Sequence, residues 1–178
     1  MGHSSIDFDK FQEQIFQLCR KRQFDEARNC CLEALSSCSD DPARSYFYKK
    51  IGYIENAAGN STAGIDALKT ARKLDPTNRG VVDALMCAYI KIKSYEKAAQ
   101  TATDLIDLDT KFPFQSFTSS AHFHKAYAYW NLEKYPVAEL ELRSCNYEEA
   151  IWIAGGLLSK SQLLVNILNR QSPSFTSR

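Results

Sequence analysis

The chain has 178 residues, of which 44% are hydrophobic and 24% are charged, so it is long enough to bury one sizeable core. Its 22 basic and 21 acidic residues leave a formal charge of +1, and a near-neutral chain lacks the cationic excess that drives nucleic-acid binding. No apolar run is long enough to cross a bilayer, and the first residues show no basic region followed by an apolar stretch. We therefore expect a cytoplasmic protein that neither binds nucleic acid nor inserts into a membrane.

Four short segments repeat one turn pattern along the chain. In each, an aromatic or small polar residue precedes a small residue by three positions, and the four small residues are Ala27, Gly64, Ala98 and Ala138. Each small residue opens a run with spacings of four and three, which places three side chains on one helical face. Because small side chains let two helices approach closely, we expect a helix crossing at each of these positions.

An amphipathic stretch precedes each turn. Its core positions follow a second spacing, with steps of three, one and three residues. In the third repeat these positions are Val82, Leu85, Met86 and Tyr89. In the second, Glu55 stands where the pattern has an aromatic side chain. Turns and stretches together resemble the tetratricopeptide repeat family across roughly residues 8–145. The resemblance implies antiparallel helix pairs stacked into a right-handed superhelix, in which the first helix of each pair lines a concave wall.

This resemblance implies an all-α fold, a tetratricopeptide-like α-solenoid of about four repeats plus a C-terminal capping helix. An insertion with three phenylalanines, residues 111–118, precedes the fourth repeat. We expect a helix break at Gly155-Gly156 inside the cap. In chain order the predicted parts are an N-terminal tail or tag remnant (1–7), repeats at 8–41, 45–78, 79–110 and 119–145, a capping helical segment (146–170) and a tail (171–178).

Residues suited to catalysis or metal binding are sparse. His122 and His124 are two positions apart on a predicted helix and point to different faces, so we expect His122 to be a packing residue. The six cysteines form no CxxC pair, and we expect them to behave as small apolar residues in a reducing compartment. There is no glycine-rich phosphate loop and no G-x-S-x-G. We therefore predict no catalytic residue, no cofactor and no metal, and a protein that is not an enzyme.

The resemblance places a set of side chains on the concave wall, and most of them are aromatic. Large aromatic side chains with a polar group are typical of protein-binding hot spots. We predict a groove that binds an extended or helical peptide through apolar anchors, with Lys49 and Asp83 setting its orientation. The predicted groove residues are Phe16, Tyr46, Lys49, Tyr53, Asn56, Asp83, Phe123, Tyr127 and Trp130.

Two functions remain open from these patterns. The first is a protein-interaction adaptor or scaffold that binds a polypeptide partner in the concave groove. The second is a dedicated chaperone of a secreted or assembly client, similar to the class II chaperones of type III secretion. An enzyme is the third and least favoured class, because no catalytic constellation is present in the sequence.

Overall fold

A computed structural model describes residues 8–112, 117–145, 151–153 and 156–171 of the chain. Within these residues there are nine helices and one two-stranded antiparallel sheet. The all-helical repeat fold expected from the sequence is therefore confirmed, with one short departure near the C-terminus. The chain divides into two compact units, Met1–Ala84 and Leu85–Arg178.

The first unit contains two antiparallel helix pairs. Its helices are α1 (Phe8–Arg20), α2 (Phe24–Ser37), α3 (Asp41–Ala58) and α4 (Ser61–Leu74). The α3 helix begins where Asp40 accepts a hydrogen bond through Oδ1 from the backbone N–H of Ala43 at 2.9 Å, which satisfies a donor that the helix itself cannot. Pro42 lies in the same first turn, where a missing N–H costs nothing. The boundary between the units falls within the next helix, α5 (Arg79–Lys91).

The second unit continues from α5 into two further pairs. Its elements are α6 (Tyr95–Asp109), α7 (Thr118–Asn131), α8 (Tyr135–Arg143), β1 (Ile151–Ile153), β2 (Gly156–Leu158) and α9 (Lys160–Gln171). The short α8 helix starts with Pro136 in its first turn. No helix in the described ranges is both long and apolar enough to span a bilayer.

The expectation of a capping helical segment over 146–170 is wrong at residues 151–153 and 156–158, which form strands. The expected break at Gly155-Gly156 lies partly outside the described residues. β1 pairs with β2 in antiparallel register, with Ile151 opposite Leu158 and Ile153 opposite Gly156. The Ile-Trp-Ile run that forms β1 is rich in the β-branched and aromatic residues that favour strands. The helix begins only at Lys160, and Leu163 and Ile167 on one of its faces are fully buried.

The second helices of all four pairs bury the faces predicted from the repeat pattern. Ala27, Ala98 and Ala138 are no more than 1% exposed, and Gly64 is buried as well. The residues four and seven positions further along the chain are also buried, and each trio forms one buried stripe. These residues are Cys31 and Ala34, Leu68 and Ala71, Ala102 and Leu105, and Leu142 and Cys145.

Two glycines set the close approach of α3 and α4. A Cβ atom at Gly52 would lie 2.6 Å from Cγ of Leu68 and 3.1 Å from the carbonyl oxygen of Gly64. A Cβ atom at Gly64 would lie 3.0 Å from the carbonyl oxygen of Gly52. These distances are shorter than van der Waals contact, so the crossing requires the absence of side chains at both positions.

One backbone turn recurs between the two helices of every pair. The turn residue has a left-handed conformation in each case, with φ of 59° at Arg22, Lys93 and Glu133 and 92° at Gly59. The next residue donates its N–H to a carbonyl five positions earlier, as from Ser94 to Tyr89 at 2.9 Å. The same bond forms from Gln23 to Leu18, Asn60 to Glu55 and Lys134 to Tyr129. The repeat is thus present in the backbone even where its sequence diverges.

Candidate functional site

An open cleft lies between α1 and α3 of the first unit, with a volume of about 390 Å³. Two predicted groove residues line it: the side chains of Phe16 and Tyr53 are 54% and 45% exposed. Ile15 and Ile54, each 3% exposed, contribute a buried apolar base. We call this feature the α1–α3 cleft. Its full lining is Gln12, Glu13, Ile15, Phe16, Cys19, Lys50, Tyr53 and Ile54.

The polar groups of the α1–α3 cleft are few and of mixed sign. Glu13 accepts a hydrogen bond from the Gln17 amide at 2.6 Å, and Lys50 places its ammonium 5.1 Å from the Tyr46 ring centroid. The guanidinium of Arg20 lies 5.8 Å from the centroid of the Phe16 ring. Burial raises the pKa of the half-buried Cys19 thiol, so this thiol stays neutral near pH 7. The cleft can therefore offer apolar contact with a small number of orienting hydrogen bonds.

Tyr46 joins α1 to α3 at the edge of this cleft. Its hydroxyl donates to Oε1 of Gln12 at 3.0 Å, and its ring meets the rings of Phe8 and Phe47 edge-on at 5.7 and 5.2 Å. Such aromatic pairs stabilise a fold beyond the area they bury. Tyr46 thus holds Gln12 in the cleft wall and is not itself a lining residue of the cleft.

Lys49 and Asp83 lie outside the α1–α3 cleft. The Lys49 ammonium is 3.6 Å from the position that a Cβ atom at Gly80 would occupy, beside α5. Burial lowers the pKa of Lys49, and the charge of Lys50 lowers it further. Burial raises the pKa of Asp83 to about 6. Their role in orienting a ligand remains a prediction.

Asn56 takes part in the crossing of α3 and α4. Its Oδ1 would be 2.6 Å from a Cβ atom at Gly64, so its side chain fills the space that the glycine leaves. Asn56 is half-buried there and does not line the α1–α3 cleft. The prediction that it belongs to a peptide-binding surface is not supported by this position, because the neighbouring helix occupies the space beside it.

In the second unit the predicted groove residues separate into two groups. Phe123 is only 2% exposed, so its assignment to an exposed groove is wrong; its ring packs inside the unit, 6.0 Å from the His124 ring. Tyr127 is half-buried and contacts Tyr95 and Trp130, with ring centroids 6.2 and 5.7 Å away. Trp130 borders a shallow depression of about 160 Å³. The Tyr127–Trp130 pair is therefore a second, smaller aromatic surface.

Sequence reasoning found the two aromatic residues of the cleft but missed its polar lining. Gln12 and Cys19 are four and three residues from Phe16, and Lys50 is three residues before Tyr53. Helical spacing of three or four places each on the same face as the aromatic residue. The residues one helical turn away from Phe16 and Tyr53 therefore include these polar lining residues of the cleft.

Two clusters of charged groups tie helices together inside the units. Glu55 accepts from Arg28 and from the Asn60 amide, both at 2.9 Å, and these bonds explain why an acid replaces the aromatic of the repeat pattern. The Arg28 hydrogen bond is the main cause that holds the pKa of Glu55 below its usual value. In the second unit Glu141 bonds His122 at 2.7 Å and Lys125 at 2.8 Å.

Neither cluster offers an open coordination site. Although burial opposes ionisation of Glu141, hydrogen bonds from His122 and Lys125 keep its pKa below the usual value. His122 is thus a packing and pairing residue of α7. Among the described residues, no group of three His, Cys, Asp or Glu side chains could hold a metal ion.

Comparison with solved structures identifies the same arrangement of helices in other proteins. BtubC from P. vanneervenii matches with a TM-score of 0.69 at 11% identity, over 77% of this chain and 60% of that one. MamA from Desulfovibrio magneticus RS-1 matches with a TM-score of 0.65 at 14% identity, over 79% and 76% of the two chains. A tetratricopeptide repeat protein from Parabacteroides merdae ATCC 43184 has a TM-score of 0.65 at 15% identity, over 76% and 51%.

No family model matches the chain, and no curated protein matches it. The identities to the solved structures are low, so the likeness concerns the fold. The four buried small-residue stripes and the four left-handed turns agree with that likeness. The chain therefore has the helical-repeat fold of tetratricopeptide repeat proteins.

Proposed function

We propose that this chain is a protein-interaction adaptor and that its first unit binds an apolar segment of a polypeptide in the α1–α3 cleft. The observation that supports this most is the position of Phe16 and Tyr53. Two large, exposed aromatic side chains from different helices line one cleft above a buried apolar base. Concave apolar sites with a few polar groups are where ligands most often bind.

The chemistry of the cleft favours a polypeptide that inserts an apolar side chain. Ile15 and Ile54 offer no hydrogen bond, while the Gln12 amide could bond to the main chain of a peptide at the rim. Glu13 and Lys50 are of opposite sign, so neither a strongly acidic nor a strongly basic segment is preferred. Binding should depend only weakly on salt, since ionic strength mainly screens interactions between exposed charges.

Substitution of the two aromatic residues tests the site. Peptides selected from a displayed library on the purified full chain would be titrated calorimetrically against Phe16→Ala and Tyr53→Ala. We expect each variant to lose about 1–2 kcal/mol of binding free energy, the usual cost of removing an aromatic anchor. Leu32→Ala is the matched control, because Leu32 is 49% exposed on α2 and does not line the cleft. Unchanged affinity in both aromatic variants would show that peptides bind elsewhere.

The kind of partner is tested by co-purification of the tagged chain from its source. Several subunits of one assembly would agree with the proposed adaptor. A single secreted client that is released before secretion would instead indicate a dedicated chaperone. If the co-purified protein is retained by the Phe16→Ala, Tyr53→Ala double variant, the α1–α3 cleft is not its binding site.

A further inference from the structure

Both walls of the α1–α3 cleft are helices, so their main-chain groups are already used. The side chains that line it come from two successive turns of α1 and from the middle of α3. Inside a helix each backbone N–H donates to the carbonyl oxygen four residues earlier, so neither wall presents a free edge that pairs with another chain. A ligand in this cleft therefore meets side chains only.

Several polar side chains of the cleft are engaged within the first unit. The Tyr46 hydroxyl donates to Oε1 of Gln12 at 3.0 Å, and the Lys50 ammonium lies 5.1 Å from the centroid of the Tyr46 ring. Glu13 accepts a hydrogen bond from the Gln17 amide at 2.6 Å. An extended segment brings one N–H and one carbonyl group per residue, and burial of such groups without partners is strongly unfavourable. An α-helix satisfies these groups internally, so it fits this cleft better.

The exposed charges beside the cleft complement the two ends of a helix. Glu13 precedes Arg20 by seven residues on α1, which separates them by about 10 Å along the helix axis. The Arg20 guanidinium stays beside the cleft, 5.8 Å from the centroid of the Phe16 ring. A helix has a partial positive charge at its N-terminus and a partial negative charge at its C-terminus, whereas the dipoles of an extended strand alternate. A helix that runs alongside α1 in the same direction is therefore favoured at both ends.

We propose that the ligand of the α1–α3 cleft is an amphipathic α-helix of the partner, which runs in the same direction as α1 and inserts two apolar side chains between Phe16 and Tyr53. This inference rests on the proposed function, because it specifies the conformation and direction of the segment bound there. Apolar side chains three or four residues apart lie on one face of a helix, so both reach the apolar base at Ile15 and Ile54. The opposite face of the ligand helix is polar and remains in solvent.

The test of conformation uses peptides of about 15 residues, or four helical turns, with blocked termini, selected from a displayed library on the purified full chain. Proline is introduced at peptide positions where alanine leaves the affinity unchanged. We expect proline in a middle turn to weaken binding about a hundredfold, because it disrupts a helix interior. Proline in the first turn should change the affinity less than about threefold, since that turn tolerates a missing N–H. Far-UV circular dichroism of the mixture should show more helix than the two separate components together.

The test of direction compares two versions of one selected peptide, with lysine in its first turn or in its last turn. At low salt, Glu13→Gln should weaken binding of the first-turn lysine peptide about two- to fivefold, the usual range for an exposed ion pair. The last-turn lysine peptide should bind parent and variant equally. The reverse pattern would mean that the ligand helix runs opposite to α1, and it would overturn the proposed direction.

Failure of the helical ligand is distinguishable from failure of the cleft as a binding site. If Phe16→Ala and Tyr53→Ala weaken binding while middle-turn proline is tolerated and no helix is gained, the cleft binds an extended segment and the helical ligand is overturned. If neither aromatic variant weakens binding, the proposed site is itself wrong and this inference fails with it. Loss of binding with both aromatic variants and with middle-turn proline, but not with first-turn proline, supports both.

Discussion

The Asp109 carboxylate joins the end of α6 to Thr118, the first residue of α7. Its Oδ2 accepts from the backbone N–H of Thr118 at 2.9 Å and from the Thr118 hydroxyl at 2.7 Å. It also accepts from the backbone N–H of Phe117 at 3.0 Å. Asp109 is completely buried, so one carboxylate closes the insertion before the fourth repeat and satisfies the first donors of α7.

Removal of that carboxylate should destabilise the second unit. We expect Asp109→Ala to lower the free energy of unfolding by about 2–3 kcal/mol, because buried donors lose a charged acceptor. Asp109→Asn, which keeps one acceptor oxygen, should cost less. Urea denaturation followed by circular dichroism measures both. The exposed Asp107→Ala, also on α6, is the control; equal effects of Asp107→Ala and Asp109→Ala would contradict the capping role.

A methyl group at the α3–α4 crossing should destabilise the first unit. Gly52→Ala gains helix propensity of about 1 kcal/mol but places Cβ against Leu68 and the Gly64 backbone. Overpacking of this kind typically costs about 1–3 kcal/mol, so we expect a net loss of stability. Thermal unfolding measures it, with Ala58→Gly at the exposed end of α3 as a propensity control. A higher melting temperature of the Gly52→Ala variant would mean that α3 and α4 can move apart enough to accommodate the added methyl group.

Glycine at two of the three non-glycine turn residues, Lys93 and Glu133, should stabilise the chain. Lys93 and Glu133 have φ of 59°, a conformation that costs an ordinary residue about 1 kcal/mol and glycine almost nothing. Lys93→Gly and Glu133→Gly should each raise the free energy of unfolding by somewhat less than this, because glycine also gains freedom in the unfolded chain. Gln100→Gly within α6 should have the opposite sign. Destabilisation by Lys93→Gly would show that its side chain is needed.

Acid should reduce the contribution of the Arg28–Glu55 pair to the free energy of unfolding. The pKa of Glu55 is lower in the folded chain than in the unfolded chain, so folding favours its ionised form. This contribution is fully present above the usual glutamate pKa of about 4.3 and is lost as the pH falls through the lower, folded value. Stability curves of the parent and Glu55→Gln should therefore converge as the pH falls below 4. A constant difference at all pH values would exclude the ionic contribution.

Charge on the inner face of α9 should destabilise the second unit, while charge on its outer face should not. Leu163 is fully buried and Val165 is 55% exposed on the same helix. Leu163→Asp should therefore cause aggregation or partial unfolding, because a buried unpaired charge is strongly unfavourable. Val165→Asp is the matched control and should remain monomeric with little change in melting temperature. Equal behaviour in size-exclusion chromatography would contradict the capping role of α9.

The sequence by itself determined the buried stripes of the second helices. Spacings of three and four residues depend only on the helical period, and small residues such as Ala27 and Ala98 are needed wherever two helices touch. The resemblance to the tetratricopeptide repeat family identified Phe16 and Tyr53 by their positions on the first helices of the repeats. It failed at Phe123, because a repeat position gives the place of a residue on its own helix and not whether a neighbour covers that place.

Only the tertiary structure decided which distant residues meet. Cys87 and His124 are 37 residues apart in the sequence. The residue pattern of neither helix predicts that these two side chains meet. Their distance depends on how the turn at Lys93 and the later crossings orient α5 and α7. Three of the four turns have no glycine, so their left-handed backbone conformation has no local sign in the sequence, although the turns themselves do. The periodicity of a helix can be read from its own residues. Contacts between two helices depend also on the turn that joins them and on how their side chains pack, and neither can be read from one helix alone.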